Sequence, residues 1–217
     1  MAIKPILFNT EMVRAILDGR KTCTRRLVKP QPDEKHTFPL GFVTDSTEKK
    51  EVGCFGFSAN EYGGSIQYVK PPYRYAPGDI LYVRETWHKY TKRIGKGESC
   101  RLAEFYGYKA SVANSEDAEE PWHPSIHMPK EAARIFLKVT DVRVERLHEI
   151  SAESALAEGA DKYIHTNGGL DENMTITSFI GIWNNTIKKS DLDRYGWDAN
   201  PWVWVIEFER CEKPEGV

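Results

Sequence analysis

Cysteine, long apolar runs and an excess of charge of either sign are all scarce in this chain of 217 residues. The four cysteines, Cys23, Cys54, Cys100 and Cys211, show no C-x-x-C spacing and do not cluster with histidine. That argues against a zinc knuckle or a disulfide framework and leaves reduced thiols as the expected state. No apolar run approaches the roughly 18 residues of a membrane span, and Glu11, Arg14 and Asp18 interrupt the N-terminal stretch where the apolar centre of a secretory signal would lie. No membrane partner is expected, and the expected compartment is the cytoplasm. With 30 basic against 32 acidic residues the net charge is -2, so any binding of nucleic acid has to come from a local patch. Repeats and low-complexity tracts are missing too.

Hydrophobic residues at 40% and aromatic residues at 12% support a buried core rather than disorder. The length suits one domain, 1–217, carrying insertions near 30–76, 91–120 and 160–172. Residues 3–8 are apolar but contain Pro5, which suits an edge strand. Asn9 or Thr10 can cap a helix whose apolar residues Met12, Val13, Ile16 and Leu17 recur at helical spacing, and Gly19 arrives where a left-handed cap is expected. The segment 22–29 is β-tolerant and ends at Pro30. Pro77-Gly78-Asp79 marks a turn into a strand at 80–83. A strand at 104–109, a helical turn at 128–134, a long strand at 135–146 and helices at 151–158 and 175–188 follow. An alternating core strand at 202–210 closes the chain. Trp183, Trp202 and Trp204 fall at core positions. Without a regular βαβ rhythm, the expected class is α+β: a small barrel or strongly curved mixed sheet with peripheral helices and loop insertions.

The segment most suggestive of chemistry is Gly19-Arg20-Lys21-Thr22-Cys23-Thr24-Arg25-Arg26, with Lys29 beyond it and no carboxylate between Asp18 and Asp33. Glycine permits a tight turn, and lysine and arginine supply a point charge and forked donors for phosphate or carboxylate. The bland reading is a helix cap followed by a solvated strand edge. A second group is Arg84, Glu85 and Trp87, which places a cation, a carboxylate and an indole together, as a base-stacking pocket requires. The alternative there is a surface ion pair beside a packed indole. His127 is either a polar pocket residue or a structural histidine. His88, His123 and His148 have no partners at ligand spacing, so no metal site is expected. Gly168-Gly169 marks a loop and not a phosphate cradle, and no cofactor is expected.

The apolar helix ending in Gly19-Arg20-Lys21-Thr22, the Pro77-Gly78-Asp79 turn with its strand, the strand at 135–146, residues 147–158 and the closing Trp204-Val205-Ile206-Glu207-Phe208 together resemble the activating-signal-cointegrator homology (ASCH) family. The fold of that family is similar to the RNA-binding PUA barrel. The chain looks closest to its larger phage- and prophage-associated members, with the three insertions outside the match. At the site it is similar to a branch of small bacterial amidohydrolases that deacetylate N4-acetylcytidine. That resemblance puts Lys21, Thr24 and Glu158 at the three catalytic positions. Many other family members carry glutamate where Thr24 stands.

The implied chemistry needs a base for the threonine hydroxyl, and lysine serves only if desolvation or a cationic neighbour, such as Arg25 or Arg26, lowers its pKa. Residues 21 and 24 of a regular strand face opposite ways, so Lys21 should lie in a turn or a bulge. Glu158 would orient the lysine or carry the proton, unless it is a solvated helix end. The expected function is hydrolysis of a modified nucleoside or RNA, with the N4-acetylcytidine amide as the substrate that the resemblance implies. The alternatives are a non-catalytic module for single-stranded RNA or DNA using the same basic pocket, and a ribonuclease. The partners in view are a modified nucleoside, a nucleotide or single-stranded RNA, and the sequence sets no oligomeric state.

Overall fold

A computed structural model describes residues 2–96, 100–112 and 121–215. Part of the insertion placed at 91–120 therefore lies outside the described residues. The fold is mixed α+β with several sheets. Among the described residues no helix is long and apolar enough to cross a membrane. The chain divides into two compact units.

The first unit holds Met1–Gly19, Ile80–Lys138 and Arg210–Val217. Strand β1 (Ile3–Leu7) runs parallel to β6 (Ile80–Arg84), from Ile3 opposite Ile80 to Leu7 opposite Arg84. Pro5 is tolerated because β1 is an edge strand. Helix α1 (Thr10–Leu17) is capped by Asn9, whose side chain accepts from the Met12 amide at 2.8 Å. It ends at Gly19, whose φ of +73° is the left-handed turn the sequence predicted. β6 pairs antiparallel with the opening residues of β9 (Phe136–Arg146). Strands β7 (Trp87–Ile94) and β8 (Arg101–Tyr108) pair over eight residues from Trp87 opposite Tyr108. Ile80, Met128, Ala132, Ala133 and Phe136 form one buried cluster of this unit.

The second unit holds Arg20–Asp79 and Val139–Glu209. Its sheet order is β9–β10–β2, with β10 (Trp202–Cys211) antiparallel to the edge strand β2 (Cys23–Leu27), and Thr24 opposite Ile206. β10 does not alternate inside and out as expected. Residues 202–206 are all buried, because both faces are covered. Val203 and Val205 pack with Leu147, Ile150, Ala155, Phe179 and Trp183. Trp202 and Trp204 meet Phe57, Phe42 and Phe55 at centroid distances of 5.1–6.0 Å. Those phenylalanines come from the insertion at 30–76, which forms a sheet of β3 (Phe38–Phe42), β4 (Phe55–Ser58) and β5 (Ile66–Val69). Helix α2 (Ala152–Ala157) has Ser151 as N-cap. Helix α3 (Glu172–Thr186) begins three residues earlier than expected because Asp171 caps it, accepting from the Met174 amide at 3.0 Å. Thr175, Phe179 and Trp183 form its buried stripe.

Candidate functional site

Lys21 lies just ahead of β2 and not within it, in the irregular backbone that the 21/24 spacing called for. This lead-in is held on both sides. The Thr22 amide donates to the Ala157 carbonyl and the Phe208 amide donates to the Thr22 carbonyl, each at 2.9 Å. The Lys21 side chain therefore turns inward and is only 2% exposed. Its ammonium donates to the Cys23 carbonyl at 2.7 Å, the Glu158 carbonyl at 2.9 Å and Glu158 Oε2 at 2.6 Å.

Glu158 is the C-cap of α2, and Gly159 with φ +92° ends the helix behind it. It is 4% exposed, so it is not a solvated helix end. Its second oxygen accepts from Arg25 Nη1 at 3.4 Å. Arg25 also donates from Nε to Glu145 Oε1 at 2.9 Å and from Nη2 to Ser154 Oγ at 3.0 Å. Its guanidinium lies 5.7 Å from the centre of the Phe179 ring. Two cations and two carboxylates, Lys21, Arg25, Glu145 and Glu158, are thus joined beneath the sheet edge. Burial moves the Lys21 pKa below its ordinary value, against the opposing charge and hydrogen bond of Glu158.

Thr24 is 1% exposed. It has the opposite strand parity to Cys23 and Arg25, and among the described residues no hydrogen bond joins its hydroxyl to Lys21 or Glu158. The structure brings two of the three expected groups into contact. A cleft of about 510 Å³ is lined by Thr22, Cys23, Ser154, Ala157 and the carboxylates Glu153 and Glu207, among others, but not by Lys21, Thr24 or Glu158. A second cleft of about 260 Å³ is basic, lined by Arg25, Arg26, Lys29, Trp183 and Thr186. Arg20 is exposed beside Leu156 and Lys162. Gly19 belongs to the first unit as the cap of α1.

The second sequence group lies in the first unit with a different set of partners. Glu85, 1% exposed, accepts a forked pair of bonds from Arg134 Nε and Nη2 at 2.8 and 2.9 Å. Arg134 itself lies 4.0 Å from the centre of the Tyr108 ring. Arg84 donates from Nε to the Met128 carbonyl at 3.0 Å, and its Nη2 donates to the Ile126 carbonyl. Trp87 packs on Tyr106 and His123, and His127 is exposed at the end of a short helical turn, Ser125–His127. Arg84 and Glu85 are therefore not each other's partners. Sequence reading passed over Glu145, Ser154 and Arg134. The only available signal was that a carboxylate such as Glu85, following a buried strand, needs a cation.

Cys23 provides a pH-dependent test of this centre. Burial pushes its thiol from 9.0 up to about 12, and the nearby Glu158 carboxylate acts in the same direction. The folded state then holds the proton more tightly than the unfolded chain. The resulting stability is complete below pH 9 and lost as pH rises towards 12. At full extent that loss is about 4 kcal/mol. Wild type should lose thermal stability between about pH 9 and pH 11 faster than Cys23→Ala, in which Lys21 still titrates. Parallel melting-temperature profiles for the two proteins would refute a buried, proton-holding thiol.

No protein-family model, no curated protein and no solved structure matches the chain.

Proposed function

We propose that the chain is an ASCH-like hydrolase directed at a modified nucleoside or RNA, with a PUA-like barrel as its kinship and an N4-acetylcytidine-type amide as its substrate, met in the cytoplasm. The observation that carries this reading is the buried Lys21–Glu158 contact of 2.6 Å, in which desolvation lowers the lysine pKa. Perturbed titratable pairs of this kind concentrate at functional sites. In the proposed reaction Lys21 passes a proton to Glu158. The neutral amine takes the Thr24 hydroxyl proton as Oγ1 attacks the acyl carbon, and that proton then goes to the departing amine. Water next hydrolyses the acyl-threonine ester. Thr24 and Lys21 are not hydrogen-bonded, so substrate entry has to bring them together.

The test is turnover of N4-acetylcytidine and a panel of N-acyl nucleosides. Wild type should release free acid, and Thr24→Val should reduce kcat by about a thousandfold or more while its unfolding midpoint stays close to wild type. A wild-type protein without turnover on the whole panel would overturn the reading. A second reading, binding without chemistry, is favoured by the three acceptors that occupy the Lys21 ammonium and by the basic cleft at Arg26, Lys29 and Trp183. Retention of RNA without turnover or cleavage would select it. RNA cleavage lost in Lys21→Arg would select a ribonuclease.

A further inference from the structure

The hairpin of β7 and β8 turns one row of side chains inward at its Trp87 end, while Lys89, Thr91, Arg93, Leu102 and Glu104 farther along that row are exposed. Trp87, Tyr106 and Tyr108 pack against the core of the first unit. The other face, half-buried at its rings and exposed at Lys92, Arg101 and Phe105, reads as pairs: His88 with Gly107, Tyr90 with Phe105, Lys92 with Ala103 and Ile94 with Arg101. No carboxylate falls on that face. Its rings form a connected shelf. Trp122 lies 4.5 Å from His88, His88 lies 5.4 Å from Tyr90, and Tyr90 stacks with Phe105 at 5.8 Å and an interplanar angle of 27°. Gly107 makes the shelf possible, because a Cβ there would lie 1.9 Å from His88 Nε2. His88 Nδ1 is buried without a hydrogen-bond partner among the described residues, an arrangement that packing alone does not explain. Phe105 is 36% exposed, and His88, Tyr90 and Trp122 are half-buried.

Charge favours a polyanion here. Residues 87–109 contain Lys89, Lys92, Arg93, Lys96, Arg101 and Lys109 against only Glu98 and Glu104, in a chain whose net charge is -2. Lys89 is paired to Glu104 at 2.8 Å on the opposite row, where both side chains are exposed. Lys92 and Arg101 continue the shelf along the face that carries the rings. We infer that this face binds single-stranded nucleic acid, with bases stacked on the His88, Tyr90, Phe105 and Trp122 rings and phosphates beside Lys92 and Arg101. The shelf has room for about two or three bases, as sheet platforms of this kind do. Stacking and phosphate contacts do not read the 2′-hydroxyl, so RNA and DNA strands share the chemistry. The inference is independent of hydrolysis at Lys21.

Fluorescence anisotropy of the full chain with labelled oligouridylate, with labelled oligothymidylate and with inorganic polyphosphate as competitor tests it. Wild type should bind at least one of the two strands, and polyphosphate should compete at least tenfold less well than the unlabelled strand. Preference for one strand then identifies RNA or DNA as the source. Tyr90→Ser with Phe105→Ser should weaken binding at least tenfold while the melting temperature stays close to wild type. Lys92→Gln with Arg101→Gln should flatten the slope of log affinity against log salt by about 1.4, from two lost phosphate contacts. Absence of binding, polyphosphate competing equally well, or ring variants binding like wild type would each overturn the proposal. Turnover of a free N-acyl nucleoside is not a readout of this surface, so the two claims fail separately.

Discussion

Glu158→Ala should destabilise the folded protein by about 3–5 kcal/mol, because it takes from the buried Lys21 charge the carboxylate that balances it and leaves the Cys23 and Glu158 carbonyl bonds in place. Arg25 would lose one of its acceptors as well, though Glu145 still binds it. Glu158→Gln keeps an acceptor and should lose less. Lys21→Met with Glu158→Leu should recover most of the loss, since a buried pair replaced by apolar side chains no longer carries the desolvation penalty of two ions. Urea midpoints at constant slope measure all three. Lys89 and Glu104 provide the contrast. Their contact of 2.8 Å is within 0.2 Å of the buried one, but the side chains are 46% and 65% exposed, and such a pair contributes about 0–1 kcal/mol. Burial rather than distance separates the two cases. If the double substitution at 21 and 158 were as destabilising as Glu158→Ala alone, uncompensated charge would not be the cause.

Trp204→Ala should destabilise by about 3–5 kcal/mol, the range for removing a large aromatic from a closed core. The indole is fully buried and sits between Phe42 at 5.9 Å and Phe55 at 6.0 Å. Its Nε1 has no hydrogen-bond partner among the described residues. Trp204→Phe therefore removes an unsatisfied buried donor, a gain of about 1–3 kcal/mol that offsets much of the cavity left behind. The expected loss for Trp204→Phe is less than half of that for Trp204→Ala, measured by thermal or urea unfolding. Equal losses would mean that the donor is satisfied in solution.

Much of the framework was legible because it is local. Asn9 and Gly19 delimit α1, Pro77-Gly78-Asp79 opens β6, and Gly159 closes α2. The displacement of Lys21 from the strand was expected from side-chain parity once the resemblance had put residues 21 and 24 in one site. What local patterns could not show was burial set by distant chain. Glu158 lies 137 residues from Lys21, and a glutamate at a helix end looks the same whether water or an ammonium faces it. β10 read as alternating because nothing in 202–210 shows that Phe42, Phe55 and Phe57 cover its second face. β7 was passed over as polar insertion because Lys89, Lys92 and Arg93 interrupt any apolar alternation along it.

The sharing of Glu158 between Lys21 and Arg25 also limits how such a sequence can drift. A change at position 158 strands Lys21 and takes one acceptor from Arg25, and a change at 21 or 25 unbalances a carboxylate still held by the other. Neutral one-step paths out of this arrangement are closed. Related chains should therefore replace positions 21 and 158 together or keep both, with 25 and 145 forming a second, looser covarying couple. Suppressors of a Glu158 lesion are expected at Lys21 before any other position.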